Sequence, residues 1–163
     1  RQMGISYSNY REQAYCLTLG ITVEDLFLAF LAKKNDPSSA GRQMPMHYGH
    51  SDLNIVSQSS PTGTQYLQAV GTAFAMQRYQ NGNVVYVSSG DGTTSQGDFH
   101  EALNWASREK APVIFHIENN HYAISVPLHE QVANGQLYDI TSGYENLGRY
   151  NVNGTDFFES HLA

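Results

Sequence analysis

The sequence predicts an α/β fold, a mostly parallel sheet with helices on both faces, on three observations. Two short runs, VVYVSS at 84–89 and VIFHIE at 113–118, are too apolar for strands with one wet face. Between them GDGTTSQGDFHEALNWASRE turns and then takes helical spacing, which makes one βαβ crossover with its strands pointing the same way. A slim helical stretch precedes the first strand. The length of 163 residues, 40% hydrophobic, fits a single domain able to bury one core.

Along the chain, RQMGISYSNYR lacks the apolar segment of a signal peptide. Residues 22–34 read as a helix with Thr22 as N-cap, Glu24 and Asp25 in the first turn and Lys33 and Lys34 complementing the dipole at the end. Its middle, 26–32, is apolar all round, which predicts burial on several sides or against another subunit. Residues 35–52 have no period, and GRQMPMHYGH (41–50) is too bulky for a linker, so this long loop is expected to be functional. A second helix is expected over 65–79, with Tyr66, Val70, Ala73, Phe74 and Gln77 along one side. The strand at 84–89, a turn at Gly90-Asp91-Gly92, a helix over 96–109 and the strand at 113–118 follow. Beyond Tyr122 the polarity is mixed, and only GRYNVNG (148–154) suggests one more strand.

Composition narrows the function classes. Nine Lys plus Arg against fifteen Asp plus Glu give a charge of −6, which excludes a broad basic face and argues against nucleic acid. No apolar run reaches the roughly 20 residues of a membrane span. The single Cys16 reads as a small buried hydrophobe in a reducing compartment. His47 and His50 have the spacing of half a zinc site, but nothing supplies the other half, and they are expected near a substrate mouth. His100, His116 and His129 read as structural. Both ends of the chain look cut, as for the middle part of a longer subunit.

The chemistry concentrates at GDGTTSQGD. Ligands in open α/β sheets bind outside the C-terminal strand ends, and Gly90 and Gly92 admit an anion close to backbone N–H groups at a helix start. Asp91 is itself an anion, which makes sense beside a phosphate if Mg²⁺ lies between them. Alone, GDG fits an N-capping Asp in a strand-to-helix turn equally well. Twenty-nine residues after Asp91, at the end of the neighbouring strand, stands Asn120, whose amide oxygen is a second metal ligand by type.

The pairing of GDG with NN resembles the thiamine diphosphate fingerprint. From YRE through GRQMPMHYG, SSPTGTQ, QAVG and ENNHYAIS to VNGTD the chain resembles the α subunit of the decarboxylating component of 2-oxo acid dehydrogenase complexes, nearest the branched-chain enzyme. The resemblance implies the thiamine diphosphate-binding fold over 1–163, with Mg²⁺ on Asp91, Asn120 and the Tyr122 carbonyl. It implies diphosphate contacts from Tyr10, Arg11, Gly92 and Thr93, and a pocket floor of Ser60 and Thr62, with His47 and Ser60 at the substrate pocket. A monovalent cation such as K⁺ falls on Ser59, Pro61, Thr64 and Gln65. The branched-chain pattern has Leu at Thr62 and Arg at Glu118, and its later loop with a catalytic His has no counterpart.

The implied function is oxidative decarboxylation of 3-methyl-2-oxobutanoate and related small 2-oxo acids, with acyl transfer to the lipoyl group of a transacylase. The Glu that activates the cofactor comes from a β subunit or a fused β half, so the chain alone is expected to be inactive and to act in an α₂β₂ assembly. The location is the cytoplasm in a bacterium or otherwise the mitochondrial matrix. Rival readings are a pyruvate or acetoin dehydrogenase α chain, an inactive scaffold built on its apolar helix, and a flavodoxin-like phosphate-binding module.

Overall fold

The computed structural model describes residues 4–79 and 82–163; the initial RQM and the Gln80-Asn81 pair lie outside it. The strands β1 (Ile5–Tyr7), β2 (Val85–Gly90) and β3 (Val113–Glu118) form one parallel sheet in the order β1-β2-β3. The expected βαβ unit is present: β2, the helix α4 (Gly97–Glu109) and β3, with Gly90 opposite Glu118 at the last pair. A 3₁₀ turn over Asp91–Ser95 stands where GDG was read as a simple turn.

One face of the sheet is covered by α3 (Thr64–Tyr79) and α4. Tyr66, Ala69, Val70 and Ala73 of α3 meet Phe99, Ala102 and Leu103 of α4 over Val85 and Val87. Ala at the inner positions keeps the two helices close. Gln77, placed on the inner side by spacing, is exposed, and Met76 is buried in its stead. The opposite face carries α1 (Gln13–Leu19), whose Tyr15 stacks on Tyr86 with centroids 4.5 Å apart. Coverage there is partial. Burial along β3 alternates, with Ile114, His116 and Glu118 exposed, so this strand is not buried on both faces in this chain. Neither β1, three residues long, nor α1 was visible in the sequence.

The helix read at 22–34 is shorter. α2 spans Val23–Phe30, and Thr22 caps it as expected in a capping box with Asp25. Ala32 at φ 49° breaks the helical path, so Lys33 and Lys34 lie outside the last turn. Ala29 is buried and Leu26 packs on the core, whereas Val23, Phe27, Phe30 and Leu31 are exposed; the expected burial on several sides does not occur within this chain. The loop that follows is ordered by Asp36, whose carboxylate accepts from the Ser38, Ser39 and Gly41 N–H groups and the Ser39 hydroxyl. Cys16 is fully buried beside Ile21, Ala29, Tyr48 and Ile55.

After β3 the chain forms a small hairpin of β4 (Tyr122–Ala123) and β5 (Val126–Pro127), then the short helices α5 (Leu128–Gln131), α6 (Leu137–Ile140) and α7 (Phe157–Leu162). GRYNVNG forms no strand. Tyr150 is exposed, and the Asn153 side-chain Oδ1 accepts from the Thr155 N–H and hydroxyl, which bends the backbone toward the Asp156 cap of α7. An alternating pattern makes a strand only where a partner edge is within reach. No helix of the described residues is long and apolar enough to cross a membrane, and among them no three His, Cys, Asp or Glu side chains group as a metal centre.

Candidate functional site

Parallel order sends all three strand ends to the same side, so Ser8 to Glu12 after β1, the 3₁₀ turn after β2 and the Asn119-Asn120 segment after β3 meet at one edge. Ser88 near the end of β2 ties the segment after β1 and the start of α3 to the sheet. Its hydroxyl accepts from the Asn9 N–H at 2.9 Å and its carbonyl from the Gln65 amide at 3.1 Å. The same Gln65 accepts from the Gly63 N–H, which fastens the SSPTGT loop to the sheet. Gly63 sits at φ +98°, and a Cβ there would reach 3.0 Å from the Gln96 side chain. The loop therefore packs directly on the start of α4.

Asp91 is 1% exposed, and its Oδ2 is buried with no hydrogen-bond partner among the described residues. A buried carboxylate oxygen left unpaired is costly, and such groups are normally paired or bound to a metal. The fold brings β4 against the turn that carries it. Gly92 approaches Ala123 so closely that a Cβ on it would lie 2.5 Å from the Ala123 Cβ, which seats β4 on the 3₁₀ turn. Asn119 and Asn120 accept from the N–H groups of His121 and Tyr122, and these two turns reverse the chain from β3 into β4. Leu128 N–H donates to the His121 carbonyl, so Tyr122 and Pro127 are the non-hydrogen-bonded pair of the hairpin and the Tyr122 carbonyl stays out of the ladder. Asp91, Asn120 and Tyr122 thus offer a carboxylate, an amide oxygen and a carbonyl, the hard oxygen set that suits Mg²⁺. These residues fit the ion.

A second group lies on the β1 side. Tyr10 stacks on His47 with centroids 5.7 Å apart and planes 9° from parallel, and the Arg11 guanidinium is 5.4 Å from the Tyr10 ring centre. His47 Nδ1 is 3.0 Å from the Pro45 carbonyl and Nε2 is 2.7 Å from Ser60 Oγ. A carbonyl only accepts, so the Nδ1–H form is held and Nε2 accepts a hydrogen bond from the Ser60 hydroxyl. Residues far apart in sequence are thereby joined at one mouth. Thr93 is buried within the turn and Thr62 is exposed in the loop.

Of the residues read as a monovalent-cation set, three come together. Ser59 Oγ lies 2.9 Å from Thr64 Oγ1 and 3.2 Å from the Pro61 carbonyl, which Thr64 also bonds at 2.7 Å. Gln65 is engaged instead with Gly63 and Ser88. What the motifs missed is a network behind the site: Glu12, Tyr86 and His116. Glu12 Oε1 accepts from the Tyr86 hydroxyl at 2.8 Å and lies 3.5 Å from His116 Nδ1, and this contact raises the His116 pKa above its ordinary value. Burial, then the nearby Glu12 charge, raises that of Glu118. A His and a Glu at alternate positions of β3 were the only signal available.

Residues 2–163 match the family described as Dehydrogenase E1 component. The chain is 44% identical over 163 residues to the 2-oxoisovalerate dehydrogenase subunit alpha of Bacillus subtilis, covering 100% of this chain and 49% of that protein. It is 41% identical over 158 residues to the mitochondrial 2-oxoisovalerate dehydrogenase subunit alpha of Caenorhabditis elegans (96% of this chain, 36% of the relative) and 36% identical over 157 to that of Mus musculus (96% and 35%). The chain spans half or less of the length of these curated relatives. With the family match running from residue 2 to the last residue, over the same parallel sheet that gathers the three strand ends, the chain belongs to the dehydrogenase E1 component family.

Proposed function

We propose that this chain is the diphosphate-binding part of a thiamine diphosphate-dependent 2-oxo acid dehydrogenase α subunit acting on branched-chain 2-oxo acids. The observation that carries the reading is Asp91, a buried carboxylate at the C-terminal edge of a parallel sheet with one oxygen unpaired among the described residues. Mg²⁺ held by Asp91, Asn120 and the Tyr122 carbonyl supplies that missing partner and leaves coordination positions for diphosphate oxygens and water. Gly92 and Thr93 offer backbone N–H groups, and Tyr10 and Arg11 close on the anion from the β1 side. K⁺ on Ser59, Pro61 and Thr64, with Gln65 behind it, pins the loop that carries Ser60 and Thr62 beneath the cofactor.

Thiamine diphosphate, when bound, supplies the nucleophile and electron sink for decarboxylation. This chain orients it and shapes the mouth, where the Ser60 hydroxyl and His47 imidazole form one hydrogen-bonded unit facing the substrate. GRQMPMHYG and relatives whose names specify 2-oxoisovalerate support this substrate class. Activation of the cofactor falls to a Glu of the β subunit in an α₂β₂ assembly, and the acyl group passes to a lipoyl-bearing transacylase. Exposed Val23, Phe27, Phe30 and Leu31 supply apolar surface for such an assembly. The assembly works in the cytoplasm of a bacterium or in the mitochondrial matrix.

Calorimetric titration of the full-length assembled protein with thiamine diphosphate and Mg²⁺ tests the site: Asp91→Ala is expected to abolish metal-dependent binding, and unchanged affinity overturns the assignment. Steady-state kinetics test the substrate. Each methylene accepted in an apolar pocket is worth about 1–3 kcal/mol, so kcat/KM for 3-methyl-2-oxobutanoate is expected to exceed that for pyruvate by at least about 10-fold. Equal values would return the chain to the pyruvate or acetoin class.

A further inference from the structure

The sheet face opposite α3 and α4 carries an ionisable cluster that the diphosphate reading leaves unused. Glu12 directly follows Arg11 at the N-cap of α1, is 6% exposed, and has a second oxygen, Oε2, buried without a hydrogen-bond partner among the described residues. Its Oε1 accepts from Tyr86, whose hydroxyl oxygen is also 2.6 Å from His116 Nδ1. Since Tyr86 has one proton and gives it to Glu12, His116 Nδ1 is the donor to Tyr86. An ordered chain results, from the His116 N–H through the Tyr86 hydroxyl to the carboxylate. The two strands set its geometry: Tyr86 pairs with Ile114 and Ser88 with His116, so Tyr86 and His116 are diagonal neighbours on one face.

The charges around Glu12 come from every element packed on it. Tyr86 faces it from β2, His116 and Glu118 from β3, Tyr15 and Cys16 from α1, and Arg11 precedes it. Two carboxylates, Glu12 and Glu118, therefore lie near one guanidinium. With His116 protonated the charges of Glu12, Glu118, His116 and Arg11 sum to zero; with His116 neutral they leave one negative charge beside the anion site. An uncompensated Glu12 draws the neighbouring guanidinium back and repels a diphosphate.

We propose that Glu12, Tyr86 and His116 are positioning residues for the diphosphate, with protonated His116 neutralising Glu12 so that Arg11 stays turned to the anion. This rests on the reading of Arg11 as a diphosphate contact. Occupation of the site and protonation of His116 favour each other, and such coupling is reciprocal. A coupling of about fivefold, at the low end for linked sites, means that the ligand raises the His116 pKa by about 0.7.

The test uses the full-length protein assembled with its partner subunit, Mg²⁺, and two probes titrated separately, thiamine diphosphate and inorganic pyrophosphate. Between about pH 6 and about pH 9, a window that extends above the ordinary His range because the Glu12 contact raises His116, wild-type affinity is expected to fall by up to about fivefold more than that of His116→Gln, which cancels the probes' own titration. NMR of the His116 ring reads the reciprocal effect: its pKa rises with pyrophosphate in the wild type and not in Glu12→Gln or Tyr86→Phe. A rise that persists in both variants is the bare field of the anion and overturns the network. Should Glu12→Gln fail to fold, Tyr86→Phe keeps the ring and decides the matter alone. Arg11→Ala separates the two readings. If it leaves pyrophosphate affinity unchanged, the site assignment fails; if it weakens binding while His116→Gln follows the wild type at every pH, the positioning network fails.

Discussion

Gly92 is where the fold and the site depend on the same contact, and replacing it with Ala separates sterics from chemistry. Its backbone lies outside the left-handed region, so Ala brings no backbone strain there. The obstacle is space: the new Cβ would stand 2.5 Å from the Ala123 Cβ and 3.0 Å from its Cα. Comfortable carbon contacts begin near ~3.5 Å, so β4 must retreat by about 1 Å. Overpacking of this kind costs about 1–3 kcal/mol. The retreat also shifts Tyr122, next to Ala123 on β4 and proposed as a Mg²⁺ ligand, by about 1 Å, and Mg²⁺-dependent binding is expected to weaken. Urea denaturation of the full-length variant reads the first effect, and Mg²⁺-dependent binding of thiamine diphosphate reads the second. Gly97→Ala is the control, because a Cβ there meets nothing within 4 Å at the start of α4; it is expected to be neutral or to stabilise by up to about 1 kcal/mol. A Gly92→Ala protein as stable as the wild type, with unchanged binding, would refute the contact's role.

Asp91→Asn is expected to raise the stability of the metal-free protein by about 1 kcal/mol or more, by removing an unpaired buried charge, while Mg²⁺-dependent binding is lost; denaturation with and without Mg²⁺ checks both, and a loss of metal-free stability contradicts the orphan oxygen. Asp36→Ala removes the acceptor of four hydrogen bonds that order the loop at 37–43 and is expected to cost about 2–4 kcal/mol by the same assay. Burial pushes the Asp36 carboxyl up, but the bonds from Gly41, Ser39 and Ser38 more than offset it and hold it below the usual carboxylate range. Its contribution is thus present above the ordinary value and lost as pH falls through the lowered one. His116 has the opposite sign: the Glu12 contact raises it, so its stabilisation is full below the ordinary His value and disappears as pH rises through the raised one. With its side chain half exposed the effect is a few tenths of a kcal/mol at most, and a wild-type advantage over His116→Gln that grows with pH would contradict it.

Local signals alone determined the β2–α4–β3 unit, the body of α3, the cap of α2 at Thr22 and the placement of Asp91 and Asn120 at neighbouring strand ends. Each helix and strand rests on side chains within a turn or two of one another, and the right-handed crossover rule then sets the two strand ends, with Asp91 and Asn120, side by side. Tertiary structure decided the rest. The three residues of β1 have no pattern of their own and become a strand only against β2. GRYNVNG has the pattern but pairs with no strand among the described residues, so it stays irregular. That Asp91 is buried with an orphan oxygen, that Tyr10 stacks on His47, and that Glu12 meets Tyr86 across 74 residues follow from where the packed sheet brings its strand ends. Residue type and spacing name a chemical group, whereas its burial and partners depend on contacts between segments remote in sequence, which exist only once the core has closed.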